Sequence, residues 1–275
     1  MAEKYKYTGY STISLSDEEL AALYENKSVI GLLPNEYGII LNKDGEVVDK
    51  YCGTVDGIRR VHYHTIGDNM TGVFKPRNLE QELAFDLMSS DVPVKLVTGT
   101  WGTGKTMCLC AAAIEQINKG KFDKIVWVRN NIEVKDTTPL GALPGSEWDK
   151  LAPFVGPLAD HVGGDEGLRQ MFERGTLDVV HLGYLRGRDL RNCIIMCSES
   201  ENMTKEHLQL LLGRVGEGSA LWLDADIKQR DKVVFEKSAG IETMIERLKG
   251  NPLFGYVHLV KSEHSATSRL ADLLD

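Results

Sequence analysis

The octapeptide GTWGTGKT, Gly99 to Thr106, fits the pattern G-x-x-x-x-G-K-[ST] at every fixed position. An apolar run, Val94 to Val97, precedes it, and a helix-forming stretch, Thr106 to Ile117, follows. That order of strand, glycine-rich turn and helix commits the chain to an α/β core with a phosphate-facing loop. Glycines let successive backbone N–H groups close around phosphate oxygens, and the helix N-terminus adds positive dipole. Lys105 is placed to reach the β- and γ-phosphates, and the Thr106 hydroxyl to ligate Mg²⁺. Gly99, Thr100, Trp101, Gly102, Thr103 and Gly104, with Met107 just beyond, complete the candidate nucleotide contacts. The expectation is a nucleoside-triphosphate site.

Composition narrows what surrounds that loop. With 275 residues, 42% hydrophobic and 26% charged, the chain has the make-up of a soluble globular protein of one large or two unequal domains. No apolar run reaches the length of a membrane span, and MAEKYKYTGYST at the start holds no apolar signal region. A formal net charge of −8 provides no global field for nucleic acid, so any such contact must be local, as at Arg59-Arg60 or Arg186 to Arg191. The five cysteines, Cys52, Cys108, Cys110, Cys193 and Cys197, are mostly in apolar surroundings and read as reduced core thiols of a cytoplasmic protein. Cys108 and Cys110 point apart on a predicted helix, which argues against a metal pair.

Residues 1–73 read as a small β-rich N-terminal domain. Ser16 with Glu19 forms a capping box for a short helix through Asn26. Val29–Leu33, Tyr37–Leu41 and Val47–Tyr51 then read as strands, the last two joined by a turn at Lys43-Asp44-Gly45. His62 and His64 alternate on one predicted strand face and read as surface or satisfied histidines rather than a metal site. Residues 74–275 switch to short apolar strands alternating with helices. The strands are Val94–Val97, Lys124–Val128, Leu177–Leu182, Cys193–Cys197, Ala220–Leu223 and Tyr256–Val260; the helices are Leu79–Met88, Thr106–Asn118, Lys205–Leu212, Ile241–Lys249 and Ala266–Leu274. This pattern predicts a mostly parallel sheet covered on both faces, with ligands at the carboxyl ends of its strands.

The other chemistry-bearing motifs fall at those ends. They are Phe74-Lys75-Pro76-Arg77-Asn78-Leu79-Glu80-Gln81, Val126-Trp127-Val128-Arg129-Asn130, Pro139 to Gly145, Arg186-Gly187-Arg188, Ser198-Glu199-Ser200-Glu201-Asn202, Ala225-Asp226-Ile227-Lys228-Gln229 and Lys261-Ser262-Glu263-His264-Ser265. In order, they resemble the ATPase domain of the PhoH-like family, whose core is similar to a RecA-type domain of superfamily 1 helicases. The resemblance runs from about Phe74 onward, and is to standalone bacterial and phage forms without the PIN nuclease domain of longer members.

The resemblance implies an α/β RecA-like P-loop NTPase core using ATP and Mg²⁺. It gives Gln81 an adenine contact, Glu199 the carboxylate that polarises the attacking water, and Gln229 the sensing of the γ-phosphate. Arg129, Arg186 and Arg188 fall near the nucleotide or a subunit interface. It also implies a homo-oligomeric ring such as a hexamer, RNA or single-stranded nucleic acid as partner, and a cytoplasmic setting in a bacterium or a phage host. Three positions depart from the family. Ser198 replaces the aspartate that holds Mg²⁺, often through water, leaving a degenerate metal position; Ala225 replaces a glycine; and His264 replaces an arginine. Asp224 and Arg269 are candidate replacements. The expectation is therefore an ATPase that couples slow hydrolysis to nucleic-acid remodelling. The alternative is a hydrolysis-impaired nucleotide-binding regulator or scaffold. For a phosphotransferase there is no separate substrate-hydroxyl site or base.

Overall fold

The computed structural model describes residues 7–25, 29–68, 72–129, 148, 151–227 and 240–263. Six strands form one sheet: β7 (Val94–Gly99), β8 (Lys124–Arg129), β9 (Leu177–His181), β10 (Cys193–Cys197), β11 (Ala220–Ala225) and β12 (Phe254–Leu259). Their order is β12-β7-β11-β10-β8-β9, and every pairing is parallel. Each of the six expected strands is present within a few residues. β7, β10 and β11 are buried at every position, which is why they read as continuous apolar runs rather than alternating ones.

Alternate residues of these strands feed two apolar layers. One face, with Val97, Ile125, Trp127, Ile194, Met196 and Trp222, packs on α2 (Leu79–Ser89) and α3 (Lys105–Asn118). The other, with Leu96, Val126, Ile195, Leu221 and Leu223, packs on α6 (Lys205–Leu212) and α7 (Gly240–Leu248). Between β8 and β9 lie α4 (Gly156–Ala159) and α5 (Gly164–Glu173). All five cysteines are free and buried. Among the described residues no helix is long and apolar enough to cross a membrane. The helix expected at Ala266–Leu274 lies outside the described residues.

The N-terminal region builds a second sheet ordered β1-β2-β3-β4, from β1 (Tyr10–Ser14), β2 (Tyr37–Leu41), β3 (Val47–Thr54) and β4 (Gly57–Arg60). The capping box forms as expected, starting α1 (Asp17–Tyr24) between β1 and β2. The strand expected at Val29–Leu33 does not form. β2, the strand that follows, is already paired on both sides, parallel to β1 and antiparallel to β3, so the segment cannot pair with it. His62 and His64 likewise lie between strands, exposed, with His64 Nε2 3.3 Å from Glu115 Oε2. A hairpin of β5 (Ile66–Asp68) and β6 (Gly72–Phe74) leads into α2.

This region is tied to the larger sheet by polar as well as apolar contacts. The Arg59 guanidinium grips both carboxylate oxygens of buried Asp86 on α2, and the Tyr37 hydroxyl donates to the same carboxylate at 2.8 Å. Bidentate arginine–carboxylate geometry fixes direction as well as distance, so β4 and β2 orient the helix that begins beside the P-loop.

Candidate nucleotide site

The loop between β7 and α3 takes the shape its glycines allow. Gly102 and Gly104 have φ of 74° and 88°, a left-handed conformation that costs other residues about 1–2 kcal/mol. A Cβ on Gly104 would stand 3.0 Å from Gln81 Nε2, and one on Gly99 would stand 2.6 Å from Thr103 Oγ1 and 2.7 Å from the Leu259 carbonyl. Gly104 is the N-cap of α3 and supplies no side-chain cap, so first-turn N–H groups keep no intrahelical partner. Such a cradle suits phosphate oxygens. Lys105 Nζ folds over it to the Thr100 carbonyl at 3.3 Å, and Thr103 Oγ1 donates to the same carbonyl at 2.8 Å.

Two other motifs close on this loop. Gln81 is 2% exposed, accepting from Arg77 N–H at 2.8 Å and donating to the Thr103 carbonyl at 2.9 Å. Its amide thus clamps the P-loop to the turn before α2. Asn78 caps α2 through Gln81 N–H and donates to Glu263 Oε1 at 2.8 Å, while Glu263 N–H donates to the Gly102 carbonyl at 2.9 Å. Two separated stretches therefore meet on one loop. Behind it, buried Thr98 bonds Tyr256 Oη at 2.8 Å and His258 Nδ1 at 2.7 Å. A cavity of about 440 Å³ opens beside Gly99 and Thr100, walled by Tyr7, Asp226, Tyr256 and His258.

The carboxylates gather at the ends of β10 and β11. Glu199 is exposed just past β10 with φ 56°, ψ 42°, a left-handed conformation that costs a non-glycine residue on the order of 1–3 kcal/mol. Asp224, 1% exposed on β11, is paired in register with Val97 of β7. Its carboxylate accepts from Ser198 Oγ at 3.0 and 3.1 Å and from Glu199 N–H at 2.9 Å, and the Thr106 hydroxyl also bonds it. Burial pushes the Asp224 carboxyl above the ordinary range, while these hydrogen bonds and the nearby Lys105 charge pull it back. Burial similarly raises Glu201 to about 8, against the opposing bond from Asp226 N–H at 2.9 Å. Among the described residues no three His, Cys, Asp or Glu side chains form a metal cluster. A P-loop cation needs none, because hydroxyl, carboxylate and phosphate oxygens suffice.

The other expected residues are spread out. Arg129 ends β8, three strand positions from β7 and hence roughly 14 Å away. Arg186 and Arg188 are exposed beyond β9 at the far edge of the sheet, roughly 19 Å from β7 by strand spacing. Gln229, His264 and Arg269 lie outside the described residues. The Asn78–Glu263 link and the Thr98 cluster were not marked in the sequence. Asp224 was, as a candidate replacement for the missing carboxylate from the neighbouring strand end.

A family model described as PhoH-like protein matches residues 73–271. Among curated relatives, Protein PhoH2 of Bacillus subtilis is 33% identical over 283 residues, spanning 98% of this chain and 61% of that protein. Protein PhoH2 of Thermobispora bispora is 28% identical over 274 residues, spanning 96% of this chain and 62% of that protein. A second Bacillus subtilis relative, named PhoH-like protein, is 30% identical over 183 residues, covering 64% of this chain and 56% of its own length. The chain thus spans about three-fifths of the length of the PhoH2 proteins it matches.

Proposed function

This chain belongs to the PhoH-like protein family, and from that premise we propose that it is a P-loop ATPase. The observation that carries the reading is the uncapped, glycine-shaped N-terminus of α3 with Lys105 lying over it. Residues Gly99 to Met107 cradle the triphosphate of ATP, and Gln81, which already grips the loop, sets the adenine side. The Thr106 hydroxyl, with carboxylate oxygen at the end of β11, would hold Mg²⁺, which supplies neutralising charge at the β- and γ-phosphates. Glu199 orients a water and takes its proton as the water oxygen bonds the γ-phosphorus; the bond to the bridging oxygen breaks, releasing ADP and phosphate. Gln229 senses the γ-phosphate.

Arg186 and Arg188 are exposed beyond β9, at the edge of the sheet far from the P-loop, which favours a role for them, with Arg129, across a subunit boundary in a ring such as a hexamer. Hydrolysis in that ring remodels RNA or another single strand, in the cytoplasm. Turnover is slow, because His264 stands where the family has an arginine, and an arginine at transferring phosphate contributes on the order of 10³–10⁵ in rate. The second reading, a nucleotide-binding regulator, is favoured by the same substitution together with Ser198.

Steady-state ATPase assays with and without RNA test this. The expected outcome is ATP binding with turnover below ~1 s⁻¹, and loss of both in Lys105→Ala. Turnover no higher than that of Lys105→Ala selects the regulator. Absence of RNA binding at low salt, where phosphate contacts are strongest, removes the nucleic-acid partner.

A further inference from the structure

β10, the strand that leads to Glu199, ends at Cys197 and is followed by Ser198, without the acid that P-loop proteins place opposite the loop hydroxyl. An acid is nevertheless in that place, delivered by the neighbouring strand. β11 lies between β7 and β10, so its carboxyl end is next to both the P-loop and Glu199. Asp224 there is bonded by Thr106 from the loop side and by Ser198 and the Glu199 N–H from the β10 side.

We propose that Asp224 is the carboxylate that anchors Mg²⁺ beside Thr106, and that Ser198 positions this carboxylate instead of meeting the metal. The metal-anchoring acid has thus moved from β10 to β11, and a small hydroxyl fills the place it left.

Three observations support the exchange. Asp224 is buried in an otherwise apolar strand, where an acid is costly unless a compensating charge comes to it. Among the described residues no lysine or arginine bonds it; Lys105 acts on it through charge alone. Its donors are hydroxyls and a backbone N–H, and the Thr106 hydroxyl can give its proton to Asp224 while offering a lone pair to a cation. Ser198 Oγ reaches both Asp224 oxygens, which fixes the carboxylate plane. The Glu199 N–H shares the same acceptor, so the left-handed turn at Glu199 and the Asp224 carboxylate hold each other in place.

This inference rests on the nucleotide-binding reading above, and the test separates the two. A fluorescent N-methylanthraniloyl ATP is titrated into the full chain in Mg²⁺ and in EDTA. The wild type is expected to bind more tightly in Mg²⁺. Asp224→Asn is expected to cut that gain, read as the ratio of the two affinities, roughly tenfold, about 1.4 kcal/mol. The exchanged pair, Ser198→Asp with Asp224→Ser, is expected to restore the gain. Asp224→Asn with the full Mg²⁺ gain would overturn the assignment and leave the nucleotide site standing. Wild-type protein that binds the probe in neither buffer would overturn both. Should Asp224→Asn fail to fold, the exchanged pair decides: a folded double variant with the Mg²⁺ gain supports the assignment, and one without it overturns it.

Discussion

The two ends of the six-stranded sheet both bury charge, and they do so in opposite ways. At the amino end of β7, Lys95 is 2% exposed, with Nζ donating to the Met88 and Ser90 carbonyls at 2.8 Å and lying 4.8 Å from the centre of the Trp222 ring. Burial lowers its pKa to about 7. Every partner there belongs to the fold itself. At the carboxyl end, Asp224 and Glu201 are also buried, but their donors come from separate motifs and include the very groups expected to meet a ligand. Desolvation acts at both ends; only at the carboxyl end is it opposed by an arrangement that could accept an additional cation. That is the general asymmetry of parallel sheets, worked out in particular side chains.

The sharpest way to break this contrast is at Gly104. Gly104→Val forces a β-branched residue into left-handed backbone and against Gln81 Nε2, so it should abolish nucleotide binding and cost about 1–2 kcal/mol or more of stability. Nucleotide titration and chemical denaturation would measure the two effects. Unaltered affinity would show that the loop's shape does not matter to the site.

The next test is at the opposite end. Below pH 7, Lys95 is charged in both folded and unfolded chains, and its full burial cost applies. From about 7 to the ordinary value of 10.5 only the unfolded chain keeps the proton, so stability rises with pH. Denaturation of wild type and Lys95→Met across that window should show the wild type gaining on the variant, with a slope approaching about 1.4 kcal/mol per pH unit. A constant difference would mean the lysine stays charged.

Glu201 should give the opposite sign, over a lower pH window. Its pKa is raised from 4.5 to about 8, so the stability present below 4.5 is lost as pH rises toward 8. Glu201→Gln should therefore gain on wild type across that window, with a slope approaching about 1.4 kcal/mol per pH unit. Equal pH profiles for variant and wild type would place a compensating charge at the carboxyl end.

Much of the larger sheet was legible because its strands are apolar on both faces, as in Cys193–Cys197 and Ala220–Ala225. The edges were harder to read. Tyr10–Ser14 and Gly57–Arg60 are half exposed, and each takes its strand character from the partner beside it. Val29–Leu33 has the composition of a strand, but β2, the strand that follows it, is already paired on both sides. The helix Gly164–Glu173 begins after Gly163, with Gly163 and Gly164 both at positive φ, so its start reads as a loop.

The sequence by itself determined the phosphate loop, since strand, glycines, lysine and threonine are contiguous and their spacing is their geometry. Tertiary structure alone decided what stands in front of Thr106. Asp224 lies 118 residues beyond Thr106 and 26 beyond Ser198, and only the insertion of β11 between β7 and β10 brings the three together. Strand order is set by how whole faces pack, and no local pattern of residues encodes which strand ends will share a carboxylate.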